Sequence, residues 1–204
     1  MTNASQTEKW IQMKYFLLTT AMGATLATAA QAETVTYVLD PSHSQIVFSY
    51  NHLGFSTTTG MFSGFDGSIE LDQDDPAASS VSVSFPAKSL ITGWPAREEH
   101  FLSKDFFGAE ANPLVTFTST SIEVTDEKTG KITGDLTMNG ITKSVVLDTT
   151  LNQLGDHPME NRPWAGFDAT TKLLRSDFDM GQFAPFVGDE VAIDISIEAM
   201  VPAE

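Results

Sequence analysis

The basic side chains that could do chemistry are few, and several lie together. The stretch Trp94 to Thr118, WPAREEHFLSKDFFGAEANPLVTFT, holds Arg97, His100 and Lys104, with Lys88 just before it. Pro95 suits the first turn of a helix. On such a helix Phe101 and Leu102 share a face, with Arg97 near them at i+4 and i+5. A guanidinium can fork to a phosphate or a carbonyl, and in an acidic chain an arginine at an opening is scarce. One reading lays this insert across the mouth of a β-structure, where it supplies the few polar groups of an apolar site. A helical plug whose charges are merely solvated fits the local pattern equally well.

Other chemistries find little support. The chain has no cysteine, which excludes a disulfide scaffold, a thiol nucleophile and thiolate metal sites. The four histidines, His43, His52, His100 and His157, have no metal-ligand spacing, so a metal site would have to be assembled by folding. No nucleophile elbow, phosphate-binding loop or paired-histidine helix occurs. Adjacent acids such as Glu98-Glu99 carry little information in so acidic a chain. A non-enzyme without catalytic residues, metal or cofactor is the expectation, with a hydrolase or metal-binding protein a lesser option.

The elements that must position these residues read as strands. Val35 to Asp40 is a first strand. His43 to Tyr50 follows, with Ile46, Phe48 and Tyr50 on one face. Ser56 to Leu71 is punctuated by Gly60, Gly64 and Gly67, residues that let a sheet bend or approach closely. Val81, Val83 and Phe85 alternate with serines. Val115, Phe117 and Ser119 share a face that Ile122 and Val124 continue. Asp126 to Gly130 turns into a strand through Met138, and Asn139-Gly140 predicts a type I′ hairpin into Ile141 to Leu151. Gly155 to Pro163 reads as a long rim loop. Phe167 to Leu173 is a strand, the stretch from Leu174 to Gly181 breaks the pattern, and Glu190 to Met200 alternates again. About eight antiparallel strands with hairpin-length links and one short helical insert (roughly 95–108) make an all-β sandwich or barrel. The glycine bends favour the barrel.

Residues 1–32 read as a secretory signal peptide: Lys14, an apolar run from Tyr15 to Leu26, and Ala30-Gln31-Ala32 before the expected cut. Met13-Lys14 makes a better start than Met1, because Glu8 and Trp10 are unusual in such a leader. The expected mature domain, 33–204, loses Lys9, Lys14 and Glu8. Of 11 basic and 27 acidic residues, 9 and 26 then remain. Such a charge repels nucleic acid and anionic headgroups. Export points to the periplasm.

Several runs together resemble the YceI-like, polyisoprenoid-binding family of exported bacterial proteins. They are Asp40-Pro41-Ser42-His43-Ser44 with Phe48, Gly60 to Gly67, and Arg97 to Leu102 with Asp105-Phe106-Phe107. After these come Asn112-Pro113 with Phe117, Gly134 to Thr142, Arg175-Ser176-Asp177-Phe178 and Val187 to Val191. They span about Val35 to Met200. The resemblance implies a lipocalin-like antiparallel β-barrel whose interior holds the tail of an isoprenoid, a prenyl quinone or a polyprenyl phosphate. Where the family tends to have glycine after the Phe of R-S-D-F, this chain has Asp179-Met180, which leaves that turn's geometry open.

An apolar tail needs an apolar tunnel, worth about 0.8 kcal/mol per buried CH₂, and only a few polar groups at its mouth. Candidate tunnel residues are Phe48, Phe62, Phe85, Phe101, Phe106, Leu136, Val145, Phe167 and Ile195; each could equally be ordinary barrel core. Arg97, His100 and Arg175 are the candidates for headgroup contacts. Against that, Arg97 could pair with Glu98 or Asp105, and Arg175 with Asp177 or Asp179, the latter pairing being favoured. The leading expectation is a periplasmic isoprenoid carrier; the alternative is a non-catalytic stress-response or interaction protein with a packed barrel. The sequence leaves open the ligand's length and headgroup, a homodimer, and transient contact with an inner-membrane protein.

Overall fold

The computed structural model describes residues 34–203. The signal-peptide reading of residues 1–32 lies outside them.

Ten strands and one helix make up the described chain: β1 Val35–Leu39, β2 Gln45–His52, β3 Ser56–Phe62, β4 Asp66–Leu71, β5 Ser80–Pro86, α1 Pro95–Leu102, β6 Leu114–Asp126, β7 Thr129–Met138, β8 Ile141–Asp156, β9 Pro163–Leu174 and β10 Val187–Met200. All pairings are antiparallel. Eight strands close a ring in the order β1-β4-β5-β6-β7-β8-β9-β10 and back to β1. The closure is short, Val38 opposite Met200 and Leu39 opposite Ala199. The rest of β10 pairs instead with β2, so the β2–β3 hairpin forks away from the ring. Met61 and Ile91 exchange backbone hydrogen bonds of 2.9 Å, which ties the free edge of β3 to the segment leading into α1. The helical insert therefore sits where the ring opens.

Strand alternation places the inner surface. Val191, Ile193, Ile195 and Ile197 of β10 lie two apart, as an inward face requires. The shift from Phe117 and Ser119 to Ile122 and Val124 along β6 corresponds to a register irregularity between Ser119 and Ser121. Two glycines make room for inward rings. Gly60 stands opposite Phe48, and a β-carbon there would lie 2.3 Å from the Phe48 ring. Gly134 stands opposite Ser119, and a β-carbon there would lie 2.4 Å from the ring of Phe117 on the same strand as Ser119. At the β7–β8 turn Asn139 and Gly140 have φ of 50° and 72°, the two positive values a type I′ turn needs.

Three stretches differ from the sequence reading. Ser56 to Leu71 is two strands, broken at Ser63-Gly64-Phe65, where Gly64 takes a φ of 71°. The link from 155 to 163 is a hairpin loop of six residues, because β8 and β9 pair out to Asp156 and Pro163. Those strands were longer than their apolar runs because exposed polar residues still pair through their backbones. The helix stops at Leu102 instead of continuing toward 108. Beyond it, Phe107 N–H donates to Phe101 O (3.0 Å) and Gly108 N–H to Ser103 O (2.8 Å), closing a turn that Gly108 allows at φ 53°. That turn swings Phe106 and Phe107 under the helix.

Candidate functional site

Two cavities lie end to end along the barrel. The outer one, about 490 Å³, opens between α1, the tips of β2 and β3, and the segment 174–187. The inner one, about 440 Å³, runs through the ring toward the β6–β7 turn at Glu127-Lys128. Phe62, Met138, Leu173 and Ile193 line both, so the two share a waist. Both volumes fall in the range of small-ligand sites.

All twelve residues singled out from sequence line these spaces. Phe48, Phe101 and Phe106 line the outer cavity, and so do Arg97, His100 and Arg175. Phe62 lines both. Phe85, Leu136, Val145, Phe167 and Ile195 line the inner one. Aromatic rings pack in series between them: Phe48 on Phe62 at 5.6 Å between centroids, Phe62 on Phe85 at 5.1 Å, and Phe62 on Phe107 at 5.4 Å. Phe101 touches Tyr50 and Phe106 at 6.2 and 5.3 Å, so helix and barrel wall form one apolar surface.

The polar groups of the outer mouth have distinct duties. Arg175 pairs with neither Asp177 nor Asp179, the partners its sequence neighbourhood favours. It begins a short 3₁₀ turn, Arg175–Phe178, and its guanidinium turns back onto main-chain carbonyls. Nε donates to Gly188 O (2.9 Å), Nη1 to Met180 O (2.7 Å) and Gln182 O (3.2 Å), and Nη2 to Val187 O (3.1 Å). A planar five-donor fork suits such a cradle, whereas the local carboxylates are exposed. Burial lowers the Arg175 pKa, against the opposing pull of Asp189 and Tyr50, but an arginine remains a cation throughout. Ser176 N–H and Oγ–H both donate to Asp189, at 2.9 and 2.6 Å, which secures the other side of the segment. The open question of the R-S-D-F turn resolves simply: Asp179 takes the left-handed conformation, φ 57° and ψ 28°, in which aspartate is tolerated.

Arg97 is placed differently. The one hydrogen bond found for its guanidinium is a long one from Nη1 to Thr92 O, 3.4 Å. Glu98, a proposed partner for it, accepts from Thr92 and Gly93 N–H at 2.7 and 3.2 Å, so that carboxylate holds the entry to α1. No ion pair to Arg97 occurs among the described residues. His100 packs edge-on against Phe106 at 5.0 Å and Phe183 at 6.3 Å. Among the residues around the outer cavity there are two arginines and two histidines but no Asp or Glu, in a chain where acids outnumber bases 27 to 11. The mouth can accept an anionic or carbonyl-bearing group without a competing carboxylate.

Sequence reasoning missed Trp94, Met180, Phe183 and Val187 at the mouth, and Phe117 and Ile132 inside. The last two lay on noted alternating faces. Trp94, Met180 and Phe183 sit in irregular segments with no period and Val187 only begins β10; the uncharged, aromatic character of 180–188 could have marked the last three.

Folding also assembles Asp40, His43 and Glu198, whose ligand atoms lie within 4.8 Å of one another. None of the three lines either cavity. Local hydrogen bonds explain the grouping: His43 Nδ1 meets Asp40 Oδ2 at 2.6 Å, Ser42 donates twice to Asp40 Oδ1, and Trp164 Nε1 donates to Glu198 at 2.8 Å. Burial opposes ionisation of Asp40, but the hydrogen bonds from Ser42 and His43 outweigh it and lower the pKa. The hydrogen bond and charge of Asp40 in turn raise that of His43.

A family model described as the YceI-like domain matches residues 37–199. A UPF0312 protein of Pseudomonas savastanoi pv. phaseolicola is 36% identical over 190 residues, covering 92% of this chain and 98% of that protein. The crystal structure of Burkholderia cenocepacia BcnA superposes with a TM-score of 0.71 at 24% identity, over 78% of this chain and 98% of that one. A polyisoprenoid binding domain from Saccharophagus degradans, implicated in plant cell wall breakdown, does so with a TM-score of 0.62 at 12% identity, over 82% and 99%. The two structural likenesses concern the fold.

Proposed function

This chain belongs to the YceI-like domain family, and from that premise we propose that it is a periplasmic carrier of an isoprenoid lipid, working without covalent chemistry. The observation that carries the reading is the pair of largely apolar cavities that meet at a waist, with two arginines and no carboxylate around the outer mouth, while Asp72, Asp126, Glu127 and Lys128 are among the residues around the inner one. A long flexible hydrocarbon would gain from every carbon taken out of water, about 0.8 kcal/mol per CH₂. It would leave its headgroup near Arg97 and His100. Arg175 would act through the backbone it cradles, shaping the rim and adding positive potential. The Saccharophagus domain, described as polyisoprenoid binding, lends the same ligand class to this fold. A packed barrel serving only as an interaction module fits less well with two cavities of this size.

The test is retention of a prenyl quinone and a polyprenyl phosphate of equal tail length after gel filtration. Stoichiometric retention of either supports the reading. Arg97→Ala should weaken both of these more than it weakens a bare polyprene. Equal loss for all three ligands would make Arg97 structural, and retention of none would end the carrier reading.

A further inference from the structure

The mouth is surrounded by large apolar side chains that stand exposed. Phe55 is 91% exposed, Phe186 75% and Trp94 62%, and Leu53, Leu174 and Phe183 are exposed as well. They belong to one end of the barrel. Leu53 N–H donates to Phe186 O (3.1 Å), Val187 N–H donates to Phe183 O (2.9 Å), and Val187 pairs with His52 at the start of the β2–β3 turn that carries Phe55. Trp94, Leu174 and Phe183 also line the outer cavity. Leu53 and Phe183 hold φ of 58° and 67°, values uncommon for residues other than glycine, so their loops spend conformational energy to present these side chains.

Charge is missing from the same segments. Residues 53–65, 89–96 and 180–188 contain no Asp, Glu, Lys or Arg, in a chain where 19% of residues are charged. Two of the flanking acids are tied to the protein itself, Glu98 to the backbone of Thr92 and Gly93 and Asp189 to Ser176, while Asp66 and Asp179 stay exposed. An uncharged aromatic rim around two arginines is what a phosphate-bearing, hydrocarbon-backed surface would complement. The rest of the molecule, with a formal charge of −16, repels both anionic lipid and a second copy of itself. Side chains standing on separate loop tips around an opening also make a poor flat face for another protein, but they can each insert among headgroups.

We propose that this collar is a docking surface for a zwitterionic lipid bilayer, presenting the mouth to the membrane so that a tail passes between them without crossing water. The inference rests on the carrier reading for its purpose, but its test is independent. The expected mature domain, 33–204, which excludes Trp10, and its W94F and F55S/F186S variants are mixed with phosphatidylcholine vesicles, with and without bromine-labelled acyl chains. Trp94 lies in the collar, and Trp164 lies at the opposite end, where β9 begins. The expected result is sedimentation with vesicles and bromine quenching that vanishes in W94F. Binding should fall by at least about tenfold in F55S/F186S, and should not improve when phosphatidylglycerol is added. Phe55 and Phe186 line neither cavity, so that variant should still retain a prenyl ligand. Failure to bind vesicles by a protein that retains ligand overturns the docking surface and spares the carrier reading. Vesicle binding without ligand retention does the reverse. Quenching that survives in W94F, or a dimer that F55S/F186S dissociates, overturns the proposal in favour of another face or of self-association.

Discussion

Replacing Ile193 by tryptophan should convert a long-chain site into a short-chain one. Ile193 lines both cavities at the waist, opposite Phe48 on β2 and Thr171 on β9. An indole there leaves the outer cavity and both arginines in place but blocks passage inward. The inner 440 Å³ holds roughly 15 water-sized groups at about 30 Å³ each, about three five-carbon units. Full transfer of about 15 carbons would be worth about 12 kcal/mol. Flexible ligands of this size realise closer to about 0.3 kcal/mol per heavy atom, or about 4.5 kcal/mol, because ordering the chain opposes burial. The smaller figure governs, and about 1.4 kcal/mol per decade turns it into a loss of roughly a thousandfold. Titration calorimetry with prenyl ligands of increasing length should show wild type gaining affinity as units are added, with Ile193→Trp levelling off once the outer cavity is full. The extra bulk should cost about 1–3 kcal/mol of stability, which affects both ligand lengths alike. An equal loss for short and long ligands, or no loss for long ones, would refute the claim that the two cavities form one tunnel.

Three further outcomes are expected. Phe101→Asp places a charge against Tyr50 and Phe106 and should abolish ligand retention while circular dichroism still reports a folded barrel; unchanged retention removes Phe101 from the site. Arg175→Lys cannot reproduce four hydrogen bonds to carbonyls and should lower stability by about 3 kcal/mol, since bonds to charged groups contribute about 1.5–3 kcal/mol each without adding fully. Amide exchange in 181–188 should quicken first, and wild-type exchange rates there would contradict the cradle. His43→Gln should change the pH profile of urea unfolding. The folded pKa of His43 is raised, so its contribution is complete below its ordinary 6.5 and fades as pH rises through the higher folded value. That of Asp40 is lowered, so its contribution stands above its ordinary 3.8 and is lost as pH falls through the lower folded value. The variant should lose the first slope, and identical slopes between pH 6 and 8 would contradict the pairing.

The barrel was legible because alternation along a half-buried strand is a local pattern. Each of Ile46, Phe48, Val83, Phe85, Leu136, Phe167 and Ile195 sits on a face its own neighbours reveal. Asn139-Gly140 gave a turn from two residues. The fork of β10 between β1 and β2 was not legible, because it depends on which of two distant strands meets which half of a third. Nor was the role of Arg175. Its nearest carboxylates are two and four residues away, but its partners are carbonyls exposed only once 180–188 has folded around it. Asp179 is a departure from the family pattern whose backbone is explained by its own conformation, since aspartate can occupy the left-handed position.

The most direct measurement is native mass spectrometry of the protein recovered from its own cell envelope without detergent. A prenyl-bearing guest should accompany the polypeptide, its mass series stepping by one five-carbon unit. Polypeptide that arrives alone, and that also fails to take up any prenyl compound offered to it, would contradict the account.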